Sequence, residues 1–192
     1  ASGGQPDGSG GSLPSPWQTQ DIGPVQRTGS AAYTAGVFSV SGSGDRTTDD
    51  EDELRFVYQQ AEGDCSIVAR VLSVEDTDDE AQAGVMIRET LNANSRHVAV
   101  FVTRDEGLQF RARTSTGNEA VNLKMASDLK APYWVKLVRV GDLFTGYRSA
   151  DGANWTVMGS ATVPMGASVY LGLGVTSHDD DDLCTATVGE VI

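Results

Sequence analysis

Turn-forming residues divide this chain into short apolar runs over most of its length. From Trp17 onward, clusters of Gly, Asp, Asn and Ser recur roughly every ten residues and separate runs rich in Val, Ile, Leu, Thr and aromatic residues. Many short strands at such regular spacing are typical of sandwiches and barrels. The pattern therefore predicts an all-β domain.

The apolar runs mark the expected strands. In residues 65–74 the two alternating sets of side chains are both partly apolar, which indicates a central strand covered on both faces. Gly141-Asp142 and Asp151-Gly152 are turn-forming pairs and predict two hairpins. Strands are expected at 17–22, 37–41, 54–60, 65–74, 84–89, 97–103, 108–113, 121–123, 133–140, 143–149, 155–162, 169–177 and 184–191.

Residues 76–89 fit two kinds of secondary structure. Residues 77–80 read T-x-x-E, the form of a helix capping box, and the segment behind them could continue as a helix. However, Gly84 inside a helix would cost about 1 kcal/mol, and Val85 and Ile87 are β-branched. We therefore predict a strand at 84–89, preceded by an acidic loop.

The chain is strongly acidic. Its 192 residues include 27 Asp and Glu against 14 Lys and Arg, which gives a formal net charge of −13. Such a charge repels phosphate groups, so nucleic acids and anionic membrane surfaces are poor candidate partners. No run reaches the roughly 18 apolar residues of a membrane span, so we expect no membrane insertion. The charge fits either adaptation to high salt or a specific cation site.

Residues 1–16 differ in composition from the rest of the chain. They are mostly Gly, Ser and Pro with few apolar side chains, which is typical of a linker. We interpret them as a linker or arm, and residues 17–192 as one domain. The polar N-terminus has no signal peptide, so we expect a mature or excised piece of a longer secreted protein.

Six ordered motifs resemble a known bacterial family. They are FVYQ at 56–59, GD at 63–64 with IVARV at 67–71, AGVMIRE at 83–89, APYWVKL at 131–137, SADG at 149–152 with Trp155, and GLGVTSH at 172–178. Together they are similar to the secreted concanavalin A-like lectin/glucanase domains of the "regulation of enolase" type, from Leu13 to Val191. The resemblance implies a two-sheet antiparallel jelly-roll sandwich attached to extracellular proteins that act on polysaccharides or adhere to surfaces.

This chain departs from that family at positions expected to contact sugars. Relatives often carry Trp where this chain has Thr48 and Glu80, and the loop after the TSH motif is four Asp residues here, at 179–182. Exposed Trp is the usual stacking platform for a sugar ring. The departures therefore move the expectation from an aromatic sugar platform toward cation-assisted contact or plain salt adaptation.

The two cysteines, Cys65 and Cys184, each lie at the start of a predicted strand. In a sandwich the C-terminal strand can pair beside an early strand, and an even cysteine count in a secreted chain favours pairing. We predict a disulfide rather than two buried thiols, worth about 4–5 kcal/mol for so long a loop. The absence of C-x-x-C spacing argues against a zinc site.

Three acidic clusters could supply the oxygen ligands that Ca²⁺ prefers, provided that their loops lie at one end of the sandwich. The clusters are residue 45 with 49–53, residue 76 with 78–80, and 179–182. Adjacent Asp side chains diverge, so few from one run can share an ion. The expected ligands are Asp76, Asp78, Asp79, Asp179 and Asp180. The alternative is a salt-adapted surface.

Aromatic and Arg side chains are the candidates for sugar contact. An Arg on a strand among apolar neighbours needs a partner, which Glu89 or a loop carboxylate could supply, so a structural ion pair is the alternative. Most of the aromatic rings are equally compatible with core packing. The residues expected to bind ligand are Tyr58, Arg88, Arg113, Tyr147 and Trp155, with Trp17, Phe110, Trp134 and Arg139 as further candidates.

Catalytic motifs give little support for an enzyme. His97 and His178 lie in no hydrolase or metalloprotease motif, and the E-x-D-x-x-E strand signature of related glucanases is missing. We expect a noncatalytic extracellular module that binds a polysaccharide or cell-surface glycan, with Ca²⁺ as a candidate cofactor. The alternatives are an assembly domain whose N-terminal arm docks on a neighbouring copy, and a glycoside-active enzyme.

Overall fold

Short strands joined by turns make up the regular structure of this protein. The computed structural model describes residues 11–45 and 47–192, so most of the predicted arm lies outside the described residues. No helix in those ranges is long and apolar enough to cross a membrane. In chain order the strands are β1 Gln18–Ile22, β2 Ser30–Thr34, β3 Val37–Gly44, β4 Leu54–Glu62, β5 Cys65–Val74, β6 Gln82–Arg88, β7 His97–Thr103, β8 Leu108–Arg113, β9 Val121–Ala126, β10 Tyr133–Val140, β11 Leu143–Ser149, β12 Thr156–Thr162, β13 Ser168–Thr176 and β14 Asp179–Gly189.

The strands form two antiparallel sheets of seven strands each. The first sheet has the order β1-β4-β13-β6-β7-β8-β9, and the second has the order β12-β11-β10-β5-β14-β3-β2. The chain passes repeatedly from one sheet to the other, as where β4 of the first leads into β5 of the second. The predicted all-β, two-sheet antiparallel sandwich is confirmed.

The main core fills the space between the two sheets. Val100 and Phe110 of the first sheet belong to the same buried cluster as Leu137 and Phe144 of the second. At Gly146 the sheets lie so close that a β-carbon would come within 2.5 Å of the Phe110 ring. Phe110 is therefore a core residue and cannot contact a sugar.

The outer face of the first sheet is also buried. Side chains of the β6–β7 connection, Leu91 and Ala93, pack on it, and the Asp52 N–H donates to the Ala93 carbonyl oxygen (2.9 Å). In the loop between β3 and β4, the described residues 45 and 47–53 therefore adjoin this face, and this loop is called the 45–53 loop below. The apolar side chains with at most 1% exposure on the face are Ile22, Leu54, Phe56, Met86, Ala99 and Phe101.

The ambiguous segment 76–89 contains a strand, as predicted. It is β6, which pairs with β7 and β13 and is buried along its whole length. Gly84 is required there because a β-carbon would lie 2.0 Å from the Val100 carbonyl oxygen of the adjacent strand. Strand β2 was not predicted, because its sequence SAAYT has small side chains and no β-branched apolar residue.

The predicted disulfide between Cys65 and Cys184 is wrong, because both are free thiols. Strands β5 and β14 are neighbours, as expected, but they run antiparallel with Ala186 opposite Val74. Antiparallel strands begin at opposite ends of a sheet. At about 3.3 Å per residue, the two cysteines are thus separated by more than about 30 Å along the strands.

We expect reducing agent to leave the unfolding temperature unchanged. Cys184 is fully buried, and burial raises the pKa of its thiol to about 11, so it should react with a thiol reagent only after unfolding. Half-buried Cys65 should react more readily in the folded protein. Thermal unfolding with and without dithiothreitol, and thiol titration with and without denaturant, check this. A lower unfolding temperature in dithiothreitol would contradict the arrangement.

Candidate functional site

The 45–53 loop is attached to the outer face of the first sheet by polar side chains. The Gln82 side chain donates to the Thr47 hydroxyl (3.0 Å), and Arg111 donates to the same hydroxyl. Thr47 is 1% exposed and Asp52 is fully buried, although both are polar. The loop is therefore held by specific hydrogen bonds, as buried polar groups require.

Asp52 is the centre of a buried ion network. Its carboxylate accepts hydrogen bonds from Arg88 (3.0 Å) and Arg113 (2.7 Å), and it lies 3.2 Å from His97 Nδ1. All four side chains are fully buried. Burial by itself raises the pKa of Asp52, but His97 and the two guanidinium groups lower it more and hold it well below its usual range.

His97 is the uncharged member of this network at neutral pH. Burial lowers the pKa of His97, and the two arginines lower it further, while Asp52 opposes the shift. Its Nε2 atom is buried and has no hydrogen-bond partner in the described part of the chain. The network therefore contains two positively charged arginines and one carboxylate. A protonated His97 would add a third positive charge with no carboxylate of the network to compensate it.

Arg113 connects three loops through their backbones. It donates to the carbonyl oxygen of Asp49 (2.7 Å) in the 45–53 loop and to that of Asn118 (2.8 Å) in the β8–β9 connection. It also donates to the Ala93 carbonyl oxygen (3.1 Å) in the β6–β7 connection. One buried side chain therefore fixes these loops relative to one another.

An open cavity of about 750 Å³ lies between two of the loops that Arg113 holds. Its lining residues are Asp49, Asp50, Gly117, Asn118 and Glu119, and it is called the acidic cavity below. Ionised carboxylates only accept hydrogen bonds, whereas an Asn side chain both donates and accepts. This set suits the hydroxyl groups of a neutral ligand, and its charge disfavours an anion.

The five residues predicted to bind ligand lie in three separate places. Arg88 and Arg113 belong to the buried network, so neither can contact a ligand directly. Tyr58 lies on the outer face of the first sheet and is only 6% exposed. Tyr147 and Trp155 lie together on the second sheet, where both are half-buried. The loop carboxylate that was expected to pair with Arg88 is that of Asp52.

The remaining candidates for sugar contact have structural contacts. Trp17 packs edge-on against Phe38 with ring centroids 5.2 Å apart. Trp134 supports the β11–β12 turn, where a β-carbon on Gly152 would lie 2.7 Å from its ring. Arg139 is buried and donates to three backbone carbonyl oxygens, those of residues 141, 165 and 166.

The three acidic loops do lie at one end of the sandwich. Thr77 donates to the Ser177 carbonyl oxygen (3.0 Å), which joins the second loop to the third. In the first loop, burial raises the pKa of the Glu53 carboxyl, and the nearby carboxyl of Asp180 raises it further. A shared calcium site was expected only if the three acidic loops lie at one end of the sandwich, and they do.

The predicted calcium ligands nevertheless have different partners. Their side-chain contacts are Asp76 with Arg104 (3.3 Å), Asp78 with His178 (3.1 Å), and Asp180 with Gln26 (3.2 Å). Asp179 accepts from a backbone N–H of its own loop, and Asp79 lies beside Asp78. Among residues 11–45 and 47–192, no group of three or more His, Cys, Asp or Glu side chains is placed to hold a metal ion. Calcium binding stays a prediction.

Comparison with known proteins identifies the fold. No protein-family model matches the chain, and no curated protein matches its sequence. Carbohydrate-binding module CBM66 from Bacillus subtilis is similar in structure, with a TM-score of 0.59, 16% identity, and coverage of 91% of this chain and 92% of that chain. A functionally unknown protein from Saccharomyces cerevisiae has a TM-score of 0.68 and 14% identity, with 85% and 90% covered. Lectin II from Ulex europaeus has a TM-score of 0.52 and 12% identity, with 91% and 90% covered.

The chain has the concanavalin A-like fold. Identities this low show the fold alone. A GH43 protein from Bacillus licheniformis is also similar, at a TM-score of 0.59 and 16% identity, but this chain covers only 33% of it. Binding modules and proteins of a glycoside hydrolase family thus share the concanavalin A-like sandwich, so activity has to be argued from the site.

Proposed function

We propose that this protein is a noncatalytic carbohydrate-binding module that holds neutral sugar units in the acidic cavity. One observation carries the proposal: the cavity walls are loop backbones fixed from below by buried Arg113. Walls held in this way are preorganised, so little conformational entropy is lost in ordering the loops when a ligand binds. The lectin and the carbohydrate-binding module of the same fold support a glycan as the ligand class.

Hydrogen bonding is the expected mode of binding in the acidic cavity. Sugar hydroxyls would donate to the carboxylates of Asp50 and Glu119, and the Asn118 amide would donate to a hydroxyl or ring oxygen. A hydrogen bond to a charged acceptor contributes about 1.5–3 kcal/mol. None of the described residues that line the cavity is aromatic, so affinity would come from several such bonds rather than from stacking.

The chemistry of the network supports a noncatalytic role. A glycosidase needs one carboxylic acid that can donate a proton and a second carboxylate across the scissile bond. Asp52, the acid of the buried network, has a lowered pKa that keeps it ionised and paired with two arginines, so it cannot donate a proton to a leaving group. The family motifs between residues 13 and 191 support placing the module among secreted bacterial proteins of the "regulation of enolase" type.

A glycan-binding screen with matched variants tests the proposal. Asp50→Asn and Glu119→Gln should each lower affinity for a neutral glycan by about tenfold, because each removes a charged acceptor. Glu62→Gln, at an exposed position at the end of β4, loses the same charge away from the cavity and should change nothing. Affinities are measured by calorimetry, in Ca²⁺ and then in chelator.

Two outcomes would reject this function. One is that no neutral glycan binds the wild-type protein in either condition. The other is that Glu62→Gln lowers affinity as much as the cavity variants, because the effect would then be one of overall charge. An unchanged unfolding temperature in chelator would separately remove the calcium prediction.

A further inference from the structure

Four strands of the second sheet align a row of side chains on its outer face. Val68 of β5, Lys136 of β10, Tyr147 of β11 and Val157 of β12 are direct cross-strand partners. The Lys136 ammonium lies 4.5 Å from the centroid of the Tyr147 ring and 4.1 Å from that of Trp155. These five residues are called the Lys136 strip below.

Two aromatic rings are the partners of the Lys136 ammonium group. Within the ranges that the structure describes, no acidic side chain and no hydrogen-bond acceptor contacts its ammonium group. Asp151, in the adjacent turn, uses its carboxylate to accept bonds from that turn, among them one from Ser149 (2.9 Å). In a chain with net charge −13, Lys136 therefore presents a positive charge on this face that no described carboxylate pairs with.

We propose that the Lys136 strip is a second ligand site, which binds a carboxylated sugar chain. The faces of the Tyr147 and Trp155 rings attract and orient the ammonium, whose N–H donors remain available to a ligand. A ligand carboxylate would accept a charge-assisted hydrogen bond from Lys136. The carbon–hydrogen faces of the sugar would lie on the ring edges and on Val157, which is 57% exposed.

The two sites differ in position and in charge. The acidic cavity lies over the outer face of the first sheet, and the Lys136 strip lies on the outer face of the second. A carboxylated sugar is repelled by the first site and attracted by the second. The two sites therefore select different sugar units, and each can be tested without the other.

Oligogalacturonate and its methyl ester are the probes, because they share the sugar and differ in the charge. The wild-type protein should bind oligogalacturonate about tenfold more tightly than the ester, since only the acid pairs with Lys136. Lys136→Met keeps an unbranched apolar side chain but removes the charge, so its affinity for oligogalacturonate should also fall by about tenfold. Lys130→Met removes an equal charge from a lysine that pairs with Asp105, and it should leave affinity unchanged.

Several results would overturn the second site. They are no binding of oligogalacturonate to the wild-type protein, equal binding of acid and ester, and equal losses in the two lysine variants. Sedimentation without ligand tests a second copy as the occupant. A dimer that Lys136→Met dissociates would also overturn the proposal. Neutral-glycan binding is measured separately. A negative result with oligogalacturonate therefore does not affect the proposal for the acidic cavity, and a negative result with neutral glycans does not affect the proposal for the Lys136 strip.

Discussion

Replacing Asp52 with Asn should destabilise this protein by about 3–5 kcal/mol, the usual result of removing one partner of a buried ion pair. Asp52 is the carboxylate that neutralises Arg88 and Arg113, and all three side chains are fully buried. The Asn side chain is nearly the same size, so the loss would come from uncompensated charge rather than from a cavity. Urea unfolding monitored by fluorescence gives the free energy of unfolding.

The neighbouring residue Asp50 provides the matched control. It lies on the same loop but is exposed, so Asp50→Asn should change stability by no more than about 0.5 kcal/mol. A double-mutant cycle then tests the partner: Arg88→Met should cost less in the Asp52→Asn background than in the wild-type protein. Equal costs in both backgrounds, or a loss below about 1 kcal/mol for Asp52→Asn, would show that the network is not the stabilising element.

Acid should lower the free energy of unfolding of this protein in two separate pH ranges. The folded pKa of His97 lies below its unfolded value of 6.5, so the unfolded chain takes up the proton first, and stability falls as the pH drops below about 6.5. The folded pKa of Asp52 lies below 3.8, so its contribution is complete above that value and is lost as the pH falls further. Each pH unit costs up to about 1.4 kcal/mol for each proton taken up on unfolding.

Removing the titrating imidazole separates the two pH ranges. His97→Gln keeps an N–H group near Asp52 but cannot become charged, so its stability should stay level down to about pH 4, where Asp52 begins to be protonated in the unfolded chain. Glu53, whose pKa is raised, acts in the opposite direction in both proteins and cancels in the comparison. Identical pH profiles for the two proteins, measured by urea unfolding from pH 4 to 8, would show that His97 is not the first group to titrate.

The fold was predictable because it depends on local patterns that recur along the chain. Alternating apolar residues and turn pairs located the strands, and Gly84 with its β-branched neighbours decided for a strand at β6. Cys65 and Cys184 show the limit of such patterns. Cys65 was correctly placed at the start of a strand, whereas Cys184 lies in the middle of β14, and the direction in which paired strands run depends on the whole sheet and separates the two thiols.

The candidate sites were predictable only in part, for the same reason. Tyr147 and Trp155 were both chosen from the sequence, and the structure brings them together around Lys136, which was not chosen. Asp52 was counted among surface acids, because nothing in the acidic run 49–53 distinguishes its one buried member. Asn118 was missed as well, and a turn beside Gly117 was its only local signal.

Arg113 holds the loops mainly through backbone groups, which every amino acid possesses. Apart from its bond to the Asp52 carboxylate, it donates to the backbone oxygens of Asp49, Asn118 and Ala93, so the side chains at these three positions are not constrained by the bonds. Substitutions there can alter what the cavity recognises while the loops keep their positions. Such a scaffold lets ligand preference diverge during evolution without a renewed search for a stable fold, and it offers the engineer a surface on which specificity can be randomised.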